Sequence, residues 1–178
     1  MGNSHVVKPI VETERLFLRE IVESDASFIN ALLNTKSFIK FIGDRGVRSD
    51  EDARLFIRNR YRQSYIEHGY GLYSVIHKAD DIPIGVCGFV RRDTLPGPDI
   101  GFAFLPEYEG KGYGNESASA LMEYGRNTLG FENVYAITSL NNDASEKLLR
   151  KLGFDLEAVR DMPDGESLKV FKFTYDIS

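Results

Sequence analysis

Tryptophan is absent from the 178 residues, cysteine occurs once and histidine three times, at His5, His68 and His77. One thiol makes no disulfide framework, and three scattered histidines make no closed zinc site. No metal is therefore expected, and a reducing cytoplasm suits the chain. No apolar run approaches the roughly 20 residues that span a bilayer, and Met1 to Pro9 lacks the basic-then-apolar order of a secretory signal, so no membrane partner is expected. Basic charge is also short: 22 Lys and Arg stand against 27 Asp and Glu, a net charge of −5 that repels phosphate backbones and disfavours nucleic acid. There is no internal repeat and no low-complexity tract. A Gly-x-Ser-x-Gly elbow is missing too, and Cys87, set among Gly85, Val86, Gly88 and Phe89, reads as a buried, inert thiol.

What is present is globular: 42% apolar and 28% charged residues, with 12 Phe and nine Tyr to supply core volume. The length fits one domain over residues 1–178, with its core at about 11–177. Period-two alternation from Glu14 to Ile21 predicts a strand. Ser24 reads as the N-cap of a first helix ending near Thr35, and Ser49-Asp-Glu-Asp52 opens a longer helix from about Asp50 to His68, stopped by Gly69. Tyr70 to His77 and Ile84 to Arg91 read as a hairpin, with Pro83 at the start of its second strand. Ile100 to Leu105 is a short apolar strand, followed by a helix from Asn115 to Leu129 and a strand from Asn133 to Ser139. Asp143 to Leu152 is a helix ended by Gly153, and Phe154 to Val159 pairs with Leu168 to Ile177 around Asp164-Gly165. This order predicts an α/β fold: a mixed, mostly antiparallel twisted sheet of about seven strands flanked by about four helices.

The chemistry lies between the fourth strand and the helix after it. Gly110, Gly112 and Gly114 lack Cβ atoms, so successive backbone N–H groups there can turn toward one anion, and the following helix adds its unpaired first-turn donors. Such a loop, with Lys111, cradles a diphosphate without a metal. It is not a P-loop, which needs Gly-x-x-x-x-Gly-Lys-Ser/Thr, nor a dinucleotide fingerprint, which needs glycine where Asn115 stands. Plain turn residues are the alternative reading of the glycines. Downstream, Asn142 and Ser145 open a helix directly after a strand, where they can cap its amides or bond a ligand beside it. Arg54, Arg58 and Arg62 stand four apart, either as a solvated helical face or as a surface for an acidic acceptor or partner.

In register, Glu109-Gly-Lys-Gly112-Tyr-Gly114, Asn142, Ser145, Lys151-Leu-Gly-Phe154 and the opening Glu12-Thr-Glu-Arg-Leu-Phe-Leu-Arg19 resemble the GNAT superfamily of N-acetyltransferases, and most of all its RimJ/RimL-type branch. The resemblance runs from about Val11 to Ile177. It implies that the fourth and fifth strands splay apart and that acetyl-CoA, the cosubstrate, lies in the gap. Phe102, Phe104 and Leu105 would contact its pantetheine arm through the main chain. Gly110, Lys111, Gly112, Tyr113, Gly114 and Asn115 would hold its diphosphate. Asn142 would lie beside the arm and Ser145 near the sulfur, while Lys147 or Arg150 would reach the adenosine phosphate unless merely solvated. Glu109 departs from the family's Gln or Arg at the first motif position.

The implied reaction is acetyl transfer to a primary amine, a protein N-terminus or a small molecule, by direct attack with acid and base help. Leu149 stands where many family members carry a tyrosine acid, which leaves that role open; the RimJ/RimL-type resemblance offers Ser145 near the sulfur, its hydroxyl placed to donate to the leaving thiolate directly or through a water. Asp99 is the first candidate for the base, ahead of Glu20 and Glu157. A non-catalytic acyl-CoA sensor is the other reading. Among assemblies a homodimer is the commonest expectation.

Overall fold

The computed structural model describes residues 7–176. Among the described residues eight strands and six α-helices follow one another: β1 (Pro9–Glu12), β2 (Leu16–Glu20), α1 (Ala26–Leu33), α2 (Lys36–Phe41), α3 (Asp50–Phe56), α4 (Gln63–His68), β3 (Leu72–His77), β4 (Ile82–Val90), β5 (Asp99–Phe104), α5 (Tyr113–Asn127), β6 (Asn133–Ser139), α6 (Asp143–Leu152), β7 (Asp155–Asp161) and β8 (Ser167–Thr174). A π-helical turn, Ile57–Arg62, joins α3 to α4 without a break. One sheet holds every strand in the order β1-β2-β3-β4-β5-β6-β8-β7, antiparallel throughout except for β5 and β6. The fold class is therefore as expected, with one more strand and two more helices than the sequence suggested. His5 and Ile177 lie outside the described residues.

Alternation along the strands separates two cores. Leu16, Leu18, Tyr73, Val75, Phe89, Ile100, Val134, Ala136 and Phe171 point to one face, where α5 and α6 cover them. Ile21, Val86, Ala103 and Leu105 turn to the other face and meet α1, α2 and α3. The parallel pair is nearly absent: Asp99 and Tyr135 are the one register pair between β5 and β6, closed by the Tyr135 amide donating to the Pro98 carbonyl at 2.9 Å. By contrast, β5 keeps six register pairs with β4, from Asp99 opposite Val90 to Phe104 opposite Gly85. Beyond Gly101 the edge of β5 that faces β6 is thus open, and a wedge separates two strands that start together.

Local signals explain most boundaries. The Ser49 hydroxyl accepts from the Asp52 amide at 3.0 Å, and Gly69 and Gly153 end their helices at φ +76° and +100°. Three details differ from the expectation. Ser24 caps nothing: a 3₁₀ turn at Glu23–Asp25 precedes α1, and Asp25 accepts from the Val22 amide at 2.9 Å. Thr35 does not close a single helix, because its hydroxyl bonds the Leu32 carbonyl at 2.9 Å and also accepts from the Phe38 amide at 3.3 Å, so it caps α2. β1 is an additional edge strand, made by pairing with β2 rather than by its own pattern. Pro83 falls at an irregularity of the β3–β4 pairing, before the register with β5 begins at Gly85.

Candidate active site

Past Phe104 the chain makes a single 3₁₀ turn, Pro106–Tyr108, and reaches the glycine loop. Gly110 and Gly112 have φ of +71° and +84°, and Gly112 is the N-cap of α5. These left-handed positions fold the loop back over the helix end, where side chains with a Cβ are strained. None of the N–H groups of residues 110–115 donates to an acceptor among the described residues. Six consecutive amides without an acceptor thus run through the loop into the first turn of a 15-residue helix, where its positive end favours an anion. Lys111 projects from the loop, its ammonium 5.8 Å from the Tyr108 ring centre.

A strap from the β1–β2 turn holds this loop. The Arg15 Nε donates to Glu116 at 2.7 Å, the Arg15 amide to the same carboxylate at 3.0 Å, and the Thr13 hydroxyl to it at 2.5 Å. Burial pushes the Glu116 carboxyl up, but the bonds from Thr13 and Arg15 outweigh it and hold the group below its ordinary value. Arg15 also donates to the Lys111 carbonyl at 3.2 Å and lies 4.3 Å over the Tyr113 ring. The Tyr113 hydroxyl meets His77 Nε2 at 3.1 Å, so its side chain is buried away from the loop, to which it contributes only its amide. The bond between Thr13 and Glu116 has no local signature in the sequence, since the two stand 103 positions apart.

Across the wedge, the Asn142 side chain accepts from the Ser145 amide at 3.2 Å and so acts as a cap. Ser145 is half-buried in the first turn of α6. A Cβ on Gly114 would stand 3.1 Å from Leu148 and 3.7 Å from Phe104, so α5, α6 and β5 converge there. The side chains of Phe102 and Phe104 pack into the core under α5, leaving their backbone to the wedge, while the Leu105 amide is already taken by the Ile84 carbonyl at 2.9 Å. At the end of β6, Thr138 Oγ1 and Ser139 Oγ are buried without a partner, two polar atoms at the lip of the wedge that sequence reading passed over. Arg150 is engaged by Glu146 at 3.1 Å, whereas Lys147 is exposed.

Asp99 sits at the closed end of the wedge, 2% exposed, on the face opposite α5. Arg92 Nε donates to it at 3.0 Å. Burial raises its carboxyl to about 6, against the lowering effect of Arg92. Glu157 is exposed at the irregularity of β7. Glu20 is half-buried at the end of β2. Leu149, at the position of the missing tyrosine, is 1% exposed and belongs to the core. Cys87 is fully buried and its thiol is pushed up to about 12 by desolvation, so it forms no thiolate at neutral pH.

A splayed parallel pair, free amides on a glycine loop and an Asn-x-x-Ser helix start now stand in one place, and a sequence model of the acetyltransferase (GNAT) domain matches residues 15–155. The chain belongs to the GNAT family. It is 30% identical to the uncharacterized N-acetyltransferase YoaA of Bacillus subtilis over 85% of each chain. With the spermidine N(1)-acetyltransferase of Escherichia coli it shares 38% identity over 158 residues, 88% of this chain and 77% of that one. Its fold is similar to that of RimL, a ribosomal L7/L12 α-N-protein acetyltransferase solved with coenzyme A, at a TM-score of 0.80 with 19% identity over 94% of this chain and 98% of the other. GNAT enzymes take their acetyl group from acetyl-CoA, and this chain is such an acetyltransferase. The loop amides fit the diphosphate of that substrate by charge and by donor count.

Proposed function

We propose that the protein transfers the acetyl group of acetyl-CoA to a primary amine, a protein N-terminus or a small molecule, by direct attack within the wedge between β5 and β6. The observation that carries this reading is the juxtaposition of an open β5 edge with six unpartnered amides at residues 110–115. In this reading the β5 backbone from Gly101 to Phe104 receives the pantetheine arm as an added strand would be received, and the loop from Gly110 to Asn115 seats the diphosphate. Asn142 orders the first turn of α6, and the Ser145 hydroxyl donates a proton toward the departing thiolate.

An amine is mostly protonated near pH 7, so a base must take its proton before or as it attacks the thioester carbon. Asp99 is the group we assign to that task. Its carboxyl is raised to about 6, which places it closer to the operating range than an ordinary carboxylate, and its position at the closed end of the wedge puts it where the two strands part. The setting is the cytoplasm, where acetyl-CoA is made and the lone thiol stays reduced.

Isothermal titration of the protein with acetyl-CoA, followed by free-thiol release with a panel of amines, tests the reading. Saturable binding and amine-dependent thiol release are expected. Absence of binding by a folded sample rejects the site, and binding without turnover for any amine indicates a non-catalytic acyl-CoA sensor, to which the buried Leu149 would then be the pointer.

A further inference from the structure

The three arginines spaced along the helix are consumed by the fold. Arg54 pairs with Glu51 at 3.1 Å, Arg58 with Glu23 at 2.7 Å, and Arg62 donates to the Ile21 carbonyl at 3.2 Å. Two other arginines share a cleft. Arg45, in the loop after α2, and Arg60, in the π-helical turn, line one cleft of about 260 Å³ together with Asp52, Leu55, Phe56 and Asn59. Among the described residues neither guanidinium has a carboxylate partner or a hydrogen bond to an acceptor. Asp52, the acid of the cleft, already accepts from the Arg48 amide at 2.9 Å and, with that amide bond, does not approach either arginine as a salt bridge. Arg60 rests 5.8 Å from the Phe56 ring centre, a contact that orients it without neutralising it.

The cleft backs onto β5: Val47 and Phe56, which line it, pack in one core cluster with Ala103 and Leu105. Arg45 is an exposed residue whose guanidinium is nonetheless crowded by protein. Burial first, and then the like charges of Arg92 and Arg60, lower its pKa, with Tyr61 acting the other way. Arg92 is the residue that holds Asp99. Arg45 and Arg60 share the cleft with one acid, Asp52, while Arg92 is answered by Asp99. In a chain whose net charge is −5 this is a local reversal of sign. Two unpaired guanidinium groups facing one void repel each other, and an anion relieves both at once. A carboxylate matches the guanidinium fork by two parallel hydrogen bonds. A polyamine would instead add charge of the wrong sign, a repulsive element against that class of acceptor.

We propose that the acceptor is a small amine that also carries a carboxylate, with the carboxylate held by Arg45 and Arg60 while the amine reaches Asp99. This rests on the acetyl-transfer reading for the word acceptor, and on the cleft alone for the anion.

The test separates the two. Glycine, β-alanine, γ-aminobutyrate and glutamate are each assayed for thiol release against their amides, with spermidine as the cationic comparison. In parallel, the N-acetylated forms of the same acids and amides are titrated into the CoA-loaded protein, which needs no turnover. At least one acid is expected to exceed its amide by about tenfold or more in kcat/KM, and its acetylated form to bind more tightly by a similar factor. In Arg45→Gln and Arg60→Gln that acid-over-amide ratio should fall about tenfold, while the affinity for acetyl-CoA reports that each variant is folded. Equal binding of acids and amides, a preference for spermidine, or a ratio unmoved in both variants overturns the proposal. Acid-selective binding without thiol release from any amine upholds the anion site and rejects acetyl transfer.

Discussion

Asp99 carries two opposite demands in one side chain. Its burial disfavours the charged form, and its bond from Arg92 favours it, with burial the larger influence, so the carboxyl titrates at about 6. If it is the base, only the ionised form works, and kcat/KM should climb as pH rises through about 6. Asp99→Asn should abolish that rise and lower the rate by a factor on the order of 10² or more, as read from a pH–rate profile. Stability moves the other way at this residue. A carboxyl raised in the folded state holds its proton more tightly than in the unfolded chain, so its contribution to stability grows as pH falls from 7 through about 6 toward the ordinary value of 3.8. A set of thermal melts between pH 7 and 5 should show that gain in the native protein and not in Asp99→Asn. At Gly112, φ of +84° makes any side chain strained by about 1–2 kcal/mol, and a carboxylate adds repulsion toward a diphosphate. Gly112→Asp should therefore lose acetyl-CoA binding by calorimetry, Gly112→Asn should lose much less, and equal losses would assign the effect to backbone strain alone. Ser145→Ala should reduce turnover more than affinity if its hydroxyl protonates the thiolate.

The elements meet at the wedge because each is held from behind. The first turn of α5 is tied through Glu116 to Thr13 and Arg15, so the orientation of the loop amides depends on a turn about a hundred residues earlier in the chain. Glu116→Gln keeps the shape and removes the charge. It should weaken acetyl-CoA binding several-fold while shifting the melting temperature by only a few degrees, since most of α5 is anchored by Ala118, Leu121 and Met122 in the core. A melting temperature that collapses would make the strap a stability device instead. The π-helical turn has its own consequence: it inserts an extra residue per turn midway between Asp50 and His68, at the place where Arg60 joins the cleft.

At the scale of the molecule, one sheet separates two cores, and the opening between β5 and β6 is stable because both strands are firmly paired on their other sides, β5 with β4 and β6 with β8. The core beneath α5 depends on aromatic packing in place of tryptophan. Phe89 is fully buried and meets the Phe131 ring edge-on at 5.1 Å and the Tyr70 ring at 6.3 Å. Phe89→Ala should cost about 3–5 kcal/mol, a fall in melting temperature of roughly 10 °C by calorimetry. Local patterns in the chain were enough to announce the β2 alternation, the Ser49 cap, the Gly69 and Gly153 stops and the glycine loop, because each depends on residues within a few positions of one another. Short-range order along the chain is what periodicity and capping record. Extended contacts decided the remainder: β1 exists by pairing with β2, Thr35 serves two helices at once, Glu116 finds Thr13 from 103 positions away, and Arg45 and Arg60, without an acceptor among the described residues, line one cleft, while Arg54, Arg58 and Arg62 are taken up by partners. Which charge stays unpaired depends on every neighbour that folding brings within a few ångströms, and that set is not written in any stretch of adjacent residues.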